Sequence, residues 1–314
     1  MQNLLNKIIC GDCIEVLSNV SEPFADLIFA DPPFNIGYKY DKYHDKVGRE
    51  NYIAWTKDWM AACKKVLKPH GSFYIAIGDE YAANIKIIAD ELGLFMRNWL
   101  IWHYTFGQQL KKKFARSHTH IFYFVNDKKT FTFNDHAVRV PSDRQLIYND
   151  RRANPEGKMP DDVWDEYPRI CGTFKERLDF PCQMPESLLA RIIAVSSNPG
   201  DCVLDPFSGS GTTAAAAYQL IRNYVTLDIS EKYVNNAQER LTELKKRYPT
   251  NLFPNTNELN ELKRLVSDIR TPAKQITADK NLLELAANQF AVRMNNHKRY
   301  SKKEIAKALE DIAD

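Results

Sequence analysis

The chain has 314 residues, enough for one large domain or for a domain with an appendage. Hydrophobic residues make up 44% of it, which excludes global disorder, and the net charge of +3 is too small to name a partner. No signal peptide opens the sequence and no apolar run is long enough to span a bilayer, so a cytoplasmic protein with no membrane partner is expected.

Strand-like and helix-like segments then alternate. The first apolar run, KIIC, ends in the CxxC of Cys10 and Cys13, and the other four cysteines are scattered singly. One CxxC without a second pair is poor evidence for zinc, so no metal site is expected. ADLIFA follows at 25–30 and runs straight into DPPFNIG at 31–37. A helical pattern covers 51–67, then GSFYIAIGD, a second helical pattern over 80–92, WLIWHYT and HIFYFVN. Past DCVLDPF and NYVTLDI, helical spacing recurs at 185–196, 212–221 and 231–246. Short, nearly continuous apolar runs read as strands buried on both faces, and their alternation with helices predicts an α/β fold with a mostly parallel sheet. Two stretches break the pattern. Residues 131–179 are polar, basic and rich in Pro, Asn and Asp, and read as an irregular surface insertion. Residues 249–314 carry helical spacing with charged faces and read as a small helical appendage, which could meet a partner chain or the ligand.

The tip Asp31-Pro32-Pro33-Phe34 stops a strand, because neither proline can donate to a sheet ladder. It also holds a carboxylate, a carbonyl and a ring in rigid positions. These suit an exocyclic amino group on a nucleobase, whose nitrogen is a weak nucleophile because its lone pair is delocalised into the ring. Asp31 can accept one amino hydrogen and the Pro32 carbonyl the other, which draws the nitrogen toward tetrahedral geometry. Pro33 keeps the carbonyl in place, and Phe34 can stack on the base for ~1–3 kcal/mol. A methyl sulfonium held in line would then be attacked directly, much of the rate coming from near-attack geometry, with no catalytic cysteine.

The second informative stretch is DPFSGSGTTAAAA, where a strand ends at Asp205, a glycine-rich turn follows and an alanine-rich helix begins. Gly209 and Gly211 let the backbone take positive φ and approach a ligand closely. GSGTTA is a GxGxxA fingerprint, and Asp228 ends the next strand, where a carboxylate can accept from ribose hydroxyls. No lysine follows the glycines, so this is not a triphosphate loop. A nucleoside cofactor at the strand tips is implied. A nicotinamide enzyme usually carries the fingerprint in its first βαβ unit, whereas about two hundred residues precede it here.

DPPF at 31–34 followed by DPFSGSGTT at 205–213 resembles the β group of the amino-group DNA methyltransferases, which use S-adenosylmethionine. The order of catalytic motif, variable region and cofactor motif is that group's circular permutation. The resemblance covers roughly residues 7–245 and implies a Rossmann-like methyltransferase fold with a catalytic domain over 1–248. It implies catalytic roles for Asp31, Pro32, Pro33 and Phe34, and cofactor contacts at Asp205, Phe207, Ser208, Gly209, Gly211, Thr212, Thr213 and Asp228. IICGDCIEVL resembles the motif before the catalytic strand, so Asp12 would lie near the cofactor adenine. FPCQMPESLL resembles the segment written H-P-T-Q-K-P-x-x-L, which adds Gln183 but puts Phe180 for His and Met184 for Lys. The lysine of that segment is therefore absent here. The implied partner is double-stranded DNA with the target base flipped out of the stack. A homodimer and a cognate restriction endonuclease encoded elsewhere are compatible with the group.

From Thr105 to Lys158 there are eleven Lys or Arg against five Asp or Glu, which suits phosphate contacts. The family keeps its target-recognition region at 131–179, where Arg139, Arg144, Gln145, Arg151, Arg152 and Asn154 could read base edges. An Asp at the first tip position leans toward N6 of adenine. The alternatives are N4 of cytosine, an RNA or protein amino-group methyltransferase, an NAD oxidoreductase and a DNA-binding relative that has lost catalysis.

Overall fold

A computed structural model of the chain describes residues 4–108, 111–148, 150, 152–170, 177–178, 180, 182–247, 256–294 and 300–312. Among these the strands are β1 (Lys7–Cys10), β2 (Ala25–Ala30), β3 (Leu67–Ile77), β4 (Phe95–Gln108), β5 (Arg116–Val125), β6 (Val163–Trp164), β7 (Cys202–Asp205) and β8 (Asn223–Asp228). They form one sheet in the order β1-β8-β7-β2-β3-β5-β4-β6. All neighbours are parallel except β5, which runs antiparallel to both β3 and β4. The α/β class with a mostly parallel sheet is therefore as the alternation predicts.

The central strands are mostly apolar and buried on both faces, and the buried Asp26 of β2 is ion-paired with Lys68 at 2.9 Å. All six residues of β2 are buried. Side chains alternate across a strand, so Leu27 and Phe29 enter one core while Ile28 and Ala30 enter the other. The first core is covered by α5 (Glu186–Ser196), α6 (Thr212–Gln219) and α7 (Glu231–Arg247). The second is covered by α1 (Cys13–Ser18), α2 (Arg49–Val66) and α3 (Ala82–Glu91). Each large aliphatic side chain moved into such a core contributes about 1.5–3 kcal/mol. Among the described residues no helix is long and apolar enough to cross a membrane.

The stretch read as irregular carries three short elements: a 3-10 turn at Asp135–Val138, α4 (Asp143–Leu146) and β6, which extends the sheet edge beside β4. Trp164 and Tyr167 explain that order, since both are buried and the Trp102 indole N–H donates to the Tyr167 carbonyl at 2.7 Å. Residues 149, 151, 171–176 and 179 of that stretch lie outside the described residues, and with them the candidate Arg151. The expected boundary at 248 and 249 lies outside them too.

The C-terminal segment forms α8 (Thr256–Ile269), α9 (Ala273–Ala278), α10 (Lys280–Arg293) and α11 (Lys302–Ile312) around Leu262, Leu265, Phe290, Ile305 and Leu309. Leu146 of α4 packs against this cluster. Beneath it lies a buried ionic network. Arg191 of α5 ion-pairs with Glu166 at 2.5 Å and with Asp268 at 2.6 Å. Arg293 pairs with the second Asp268 oxygen at 2.6 Å and with Glu261 at 3.0 Å, and it donates to the Arg139 carbonyl at 2.9 and 2.8 Å. Arg264 pairs with Glu261 at 2.9 Å and donates to the Ala137 carbonyl. The appendage thus clamps the back of the 131–179 stretch. Burial works against ionisation of Asp268, yet Arg191 and Arg293 hold its carboxyl below the usual carboxylate range.

Asp268→Ala would leave Arg191 and Arg293 buried without their shared counter-charge. A loss of ~3–5 kcal/mol in urea denaturation is expected. A loss below about 1 kcal/mol, the range of a surface pair, would show that the network is dispensable.

Candidate active site

β2 and β7 are hydrogen-bonded parallel neighbours, with Leu27 beside Val203 and Ile28 beside Leu204. Their C-terminal ends therefore emerge together, and the DPPF tip stands next to the glycine-rich turn although 174 residues separate Asp31 from Asp205. A cavity of about 960 Å³ opens between them. It is bordered by Asp12, Asp31, Pro32, Pro33, Phe34, Gln183, Asp205, Phe207, Ser208, Gly209, Thr212, Thr213 and Asp228. Of the residues expected in the site, only Gly211 does not border it.

The tip is braced from several sides. The Tyr52 hydroxyl of α2 donates to the Pro33 carbonyl at 2.5 Å. A Cβ placed on Gly78, just past β3, would meet the Phe34 ring at 3.3 Å, so that ring lies against a position where a side chain would crowd it. Asn35 takes positive φ, and its side chain donates to the Val47 carbonyl at 3.0 Å and to the Tyr81 hydroxyl at 2.8 Å. The buried Asp45 carboxylate accepts the backbone N–H groups of Asn35, Ile36 and Tyr38 at 2.7, 3.2 and 2.8 Å. This closes the loop that carries Tyr38, Tyr40 and Tyr43.

The glycine-rich turn is equally prescribed. Gly209 and Gly211 adopt φ of 49° and 73°, the left-handed region that other residues enter at a cost. The Asp228 carboxylate accepts the Gly209 N–H at 2.9 Å and the Ser230 N–H at 2.8 Å. Asp205 accepts the Phe207 N–H at 2.8 Å and the Thr213 hydroxyl at 2.5 Å. The Thr212 hydroxyl meets Ser210 at 2.9 Å and receives the Arg240 guanidinium at 3.0 Å. Asp12 caps α1, one oxygen accepting the Ile14 and Glu15 N–H groups at 2.8 and 3.2 Å. At the two departures from the resembling segment, Phe180 stands edge-on to Tyr233 with centroids 4.8 Å apart and lies over Gly209, while Met184 is buried and borders the cavity.

The cavity is lined by charged groups of both signs. Burial pushes the Asp31 carboxyl up to about 8, and the Asp205 carboxylate adds to the shift. Burial pushes Asp205 up to about 7, against the Thr213 hydroxyl and the Phe207 N–H that favour its charged form. Asp228 is also raised, by burial first and by Asp41 in addition. Among the described residues Asp31 has no hydrogen-bond partner. Such a group of under-compensated carboxylates favours a ligand that brings positive charge. Lys42, Lys113, Arg116 and Arg169 border the same cavity and supply the opposite charge.

Several structural contributors escape the motif reading. Tyr52, Trp55 and Trp59 lie at i, i+3 and i+7 on α2, a single helical face. Trp55 and Trp59 pack on Phe207 with centroids 5.7 and 5.2 Å apart, while Tyr52 holds Pro33. One helix therefore supports both motifs. The aromatic spacing was visible in the sequence. Asp45 carried no local signal, because its partners are backbone groups seven to ten residues earlier.

Known proteins resemble this chain in sequence and in fold. A family model described as DNA methylase matches residues 25–239. The type II methyltransferase M.HpaI of Haemophilus parainfluenzae is 38% identical over 236 residues, covering 75% of this chain and 74% of that protein. The DNA adenine methyltransferase YhdJ of Escherichia coli K12 is 38% identical over 249 residues, covering 76% of this chain and 83% of that protein. Among solved structures, the cytosine-N4-specific PvuII DNA methyltransferase aligns with a TM-score of 0.56 at 19% identity, over 76% of this chain and 91% of that one. The M1.HpyAVI–SAM complex aligns at 0.54 and 21%, over 75% and 98%. At such identities the structural likenesses speak for the fold alone.

A Cβ on Gly211 would approach the Ala237 Cβ to 2.6 Å. Gly211→Ala should cost about 2 kcal/mol or more, from the left-handed backbone and the overlap with α7 together. Urea denaturation checks this, and an unchanged midpoint would mean that the turn relaxes freely.

Proposed function

The chain belongs to the DNA methylase family, and on that footing we propose that it transfers a methyl group from S-adenosylmethionine to the N6 amino group of adenine in duplex DNA. The observation that carries this reading is the meeting of the DPPF tip and the glycine-rich turn on one acid-lined cavity. Asp205 and Asp228 suit a cationic sulfonium, and Gly209 and Gly211 give the turn its left-handed shape at the end of the strand. S-adenosylmethionine, when bound, supplies the electrophilic methyl group.

The residues of the chain divide the remaining work. Gly209, Gly211, Ser208, Phe207, Thr212 and Thr213 form the cofactor turn, with Gln183 bordering it. Asp228 offers its remaining lone pairs to ribose hydroxyls, and Asp12 lies toward the adenine end. Asp31 and the Pro32 carbonyl accept the two hydrogens of the target amino group, and this hydrogen bonding localises the nitrogen lone pair. The high affinity of Asp31 for a proton lets it hold the one that the nitrogen sheds. Phe34 stacks on the base, which must leave the duplex to reach the tip. Adenine rather than cytosine is supported by the aspartate at the first tip position and by the adenine-methylating relative from Escherichia coli.

In the same reading residues 1–248 are the catalytic domain and 131–179 its target-recognition region, with 249–314 as a helical appendage. Arg144 and Arg152 both grip Asp150, at 2.6 and 3.0 Å, which presents them as a fixed basic pair on that region.

Two outcomes are expected. Asp31→Ala should lower methyl transfer by about 10²-fold or more while S-adenosylmethionine affinity is largely kept. Normal turnover by this variant would refute the mechanism. The second outcome concerns pH. Burial raises the carboxylate pKa values, and a sulfonium favours their charged forms, so binding should release protons near neutrality. From about pH 6 to about pH 9 the affinity for S-adenosylmethionine should rise relative to that for the uncharged thioether product, S-adenosylhomocysteine. Calorimetry measures both, and a pH-independent ratio would contradict the electrostatic account.

A further inference from the structure

β4 and β5 form an antiparallel hairpin that pairs His103 with His118 and Gln108 with Arg116. Its turn reads KKKFAR from Lys111 to Arg116. Lys113 and Arg116 border the cavity of the DPPF tip. Arg116 is fixed there by an ion pair with Asp79 at 2.7 Å, and Asp79 directly follows the Gly78 that lies against the Phe34 ring. Between these two cationic residues stands Phe114, with 100% of its surface exposed. Among the described residues its ring touches no other aromatic group. A fully solvated phenyl group contributes nothing to the core, and here it lies in a segment with four cations, two of which border the cavity.

Ile147 and Tyr148 are also exposed, but no described residue beside them in sequence lines the cavity. Ile36 and Tyr38 border it on the loop that follows Phe34, within reach of whatever the cavity holds.

We infer that Phe114 is a wedge that enters the DNA stack when the target base leaves it, with Lys111, Lys112, Lys113 and Arg116 holding the neighbouring phosphates. The inference rests on the methyltransfer reading above. A base drawn into the cavity leaves a gap between its former neighbours, and an apolar ring inserted there replaces the lost stacking. The flanking cations place the ring at the duplex surface and make the approach depend on salt. Phe114 is a positioning residue: it acts on the duplex and does not touch the reacting atoms.

The test uses the full chain and a duplex carrying the site recovered by sequencing DNA that the protein has methylated. The target adenine is paired normally in one duplex and faces an abasic residue in another, where little unpairing remains to be done. A 2-aminopurine at the target position reports unstacking by its fluorescence. Phe114→Ala should lower methylation of the paired duplex by roughly tenfold or more and remove most of the 2-aminopurine signal. It should methylate the abasic duplex at close to the wild-type rate, and Phe114→Trp should restore the paired duplex. Equal loss on both duplexes, or no loss on either, would overturn the wedge while leaving the methyltransfer reading intact. Failure of the unaltered protein to methylate either duplex would overturn both.

Discussion

Everything in the site follows from the parallel pairing of β2 with β7. That pairing brings together two chain segments that are remote in sequence and ends both strands on the same edge of the sheet. Each strand stops for its own reason. β2 stops because two prolines follow Asp31, and β7 because a glycine-rich turn must fold back over its end. Neither motif has a cavity by itself. The pairing of Leu27 with Val203 and Ile28 with Leu204 brings both strand ends to one cavity, where the Asp205 carboxylate acts on Asp31.

Holding two carboxylates so close in a partly dry cavity is unfavourable without a ligand, and the surrounding structure supports it. α2 grips both motifs with one aromatic face, Asp45 ties down the loop beyond the tip, and Asp205 accepts hydrogen bonds from the Thr213 hydroxyl and the Phe207 N–H. The result is a cavity lined by carboxylates and also by the basic side chains of Lys42, Lys113, Arg116 and Arg169.

Much of this was legible in the sequence because it is local. The strand-ending prolines, the glycines at positive φ and the carboxylate ending β8 are each prescribed within a few residues. The long helices over α2, α3, α5, α6 and α7 declare themselves by apolar spacing. Other features depend on distant partners and leave no local trace. α1 is six residues long, too short for periodicity, and is set by the Asp12 cap. β6 has two residues and exists because Trp164 is buried beside β4. The charged residues of the appendage look like a solvated face, yet Arg264, Asp268 and Arg293 are buried against Arg191 and Glu166. Helical spacing alone cannot distinguish a charged stripe facing water from one facing complementary charge.

The central claim is that this cavity delivers a methyl group to an amino nitrogen of adenine in DNA. The direct measurement is transfer from labelled S-adenosylmethionine to DNA lacking its own methylation, with the product hydrolysed to nucleosides and separated. The account predicts label in N6-methyladenine, lowered by about 10²-fold or more with the Asp31→Ala variant. Label in N4-methylcytosine, or in no nucleoside despite tight cofactor binding, would contradict it.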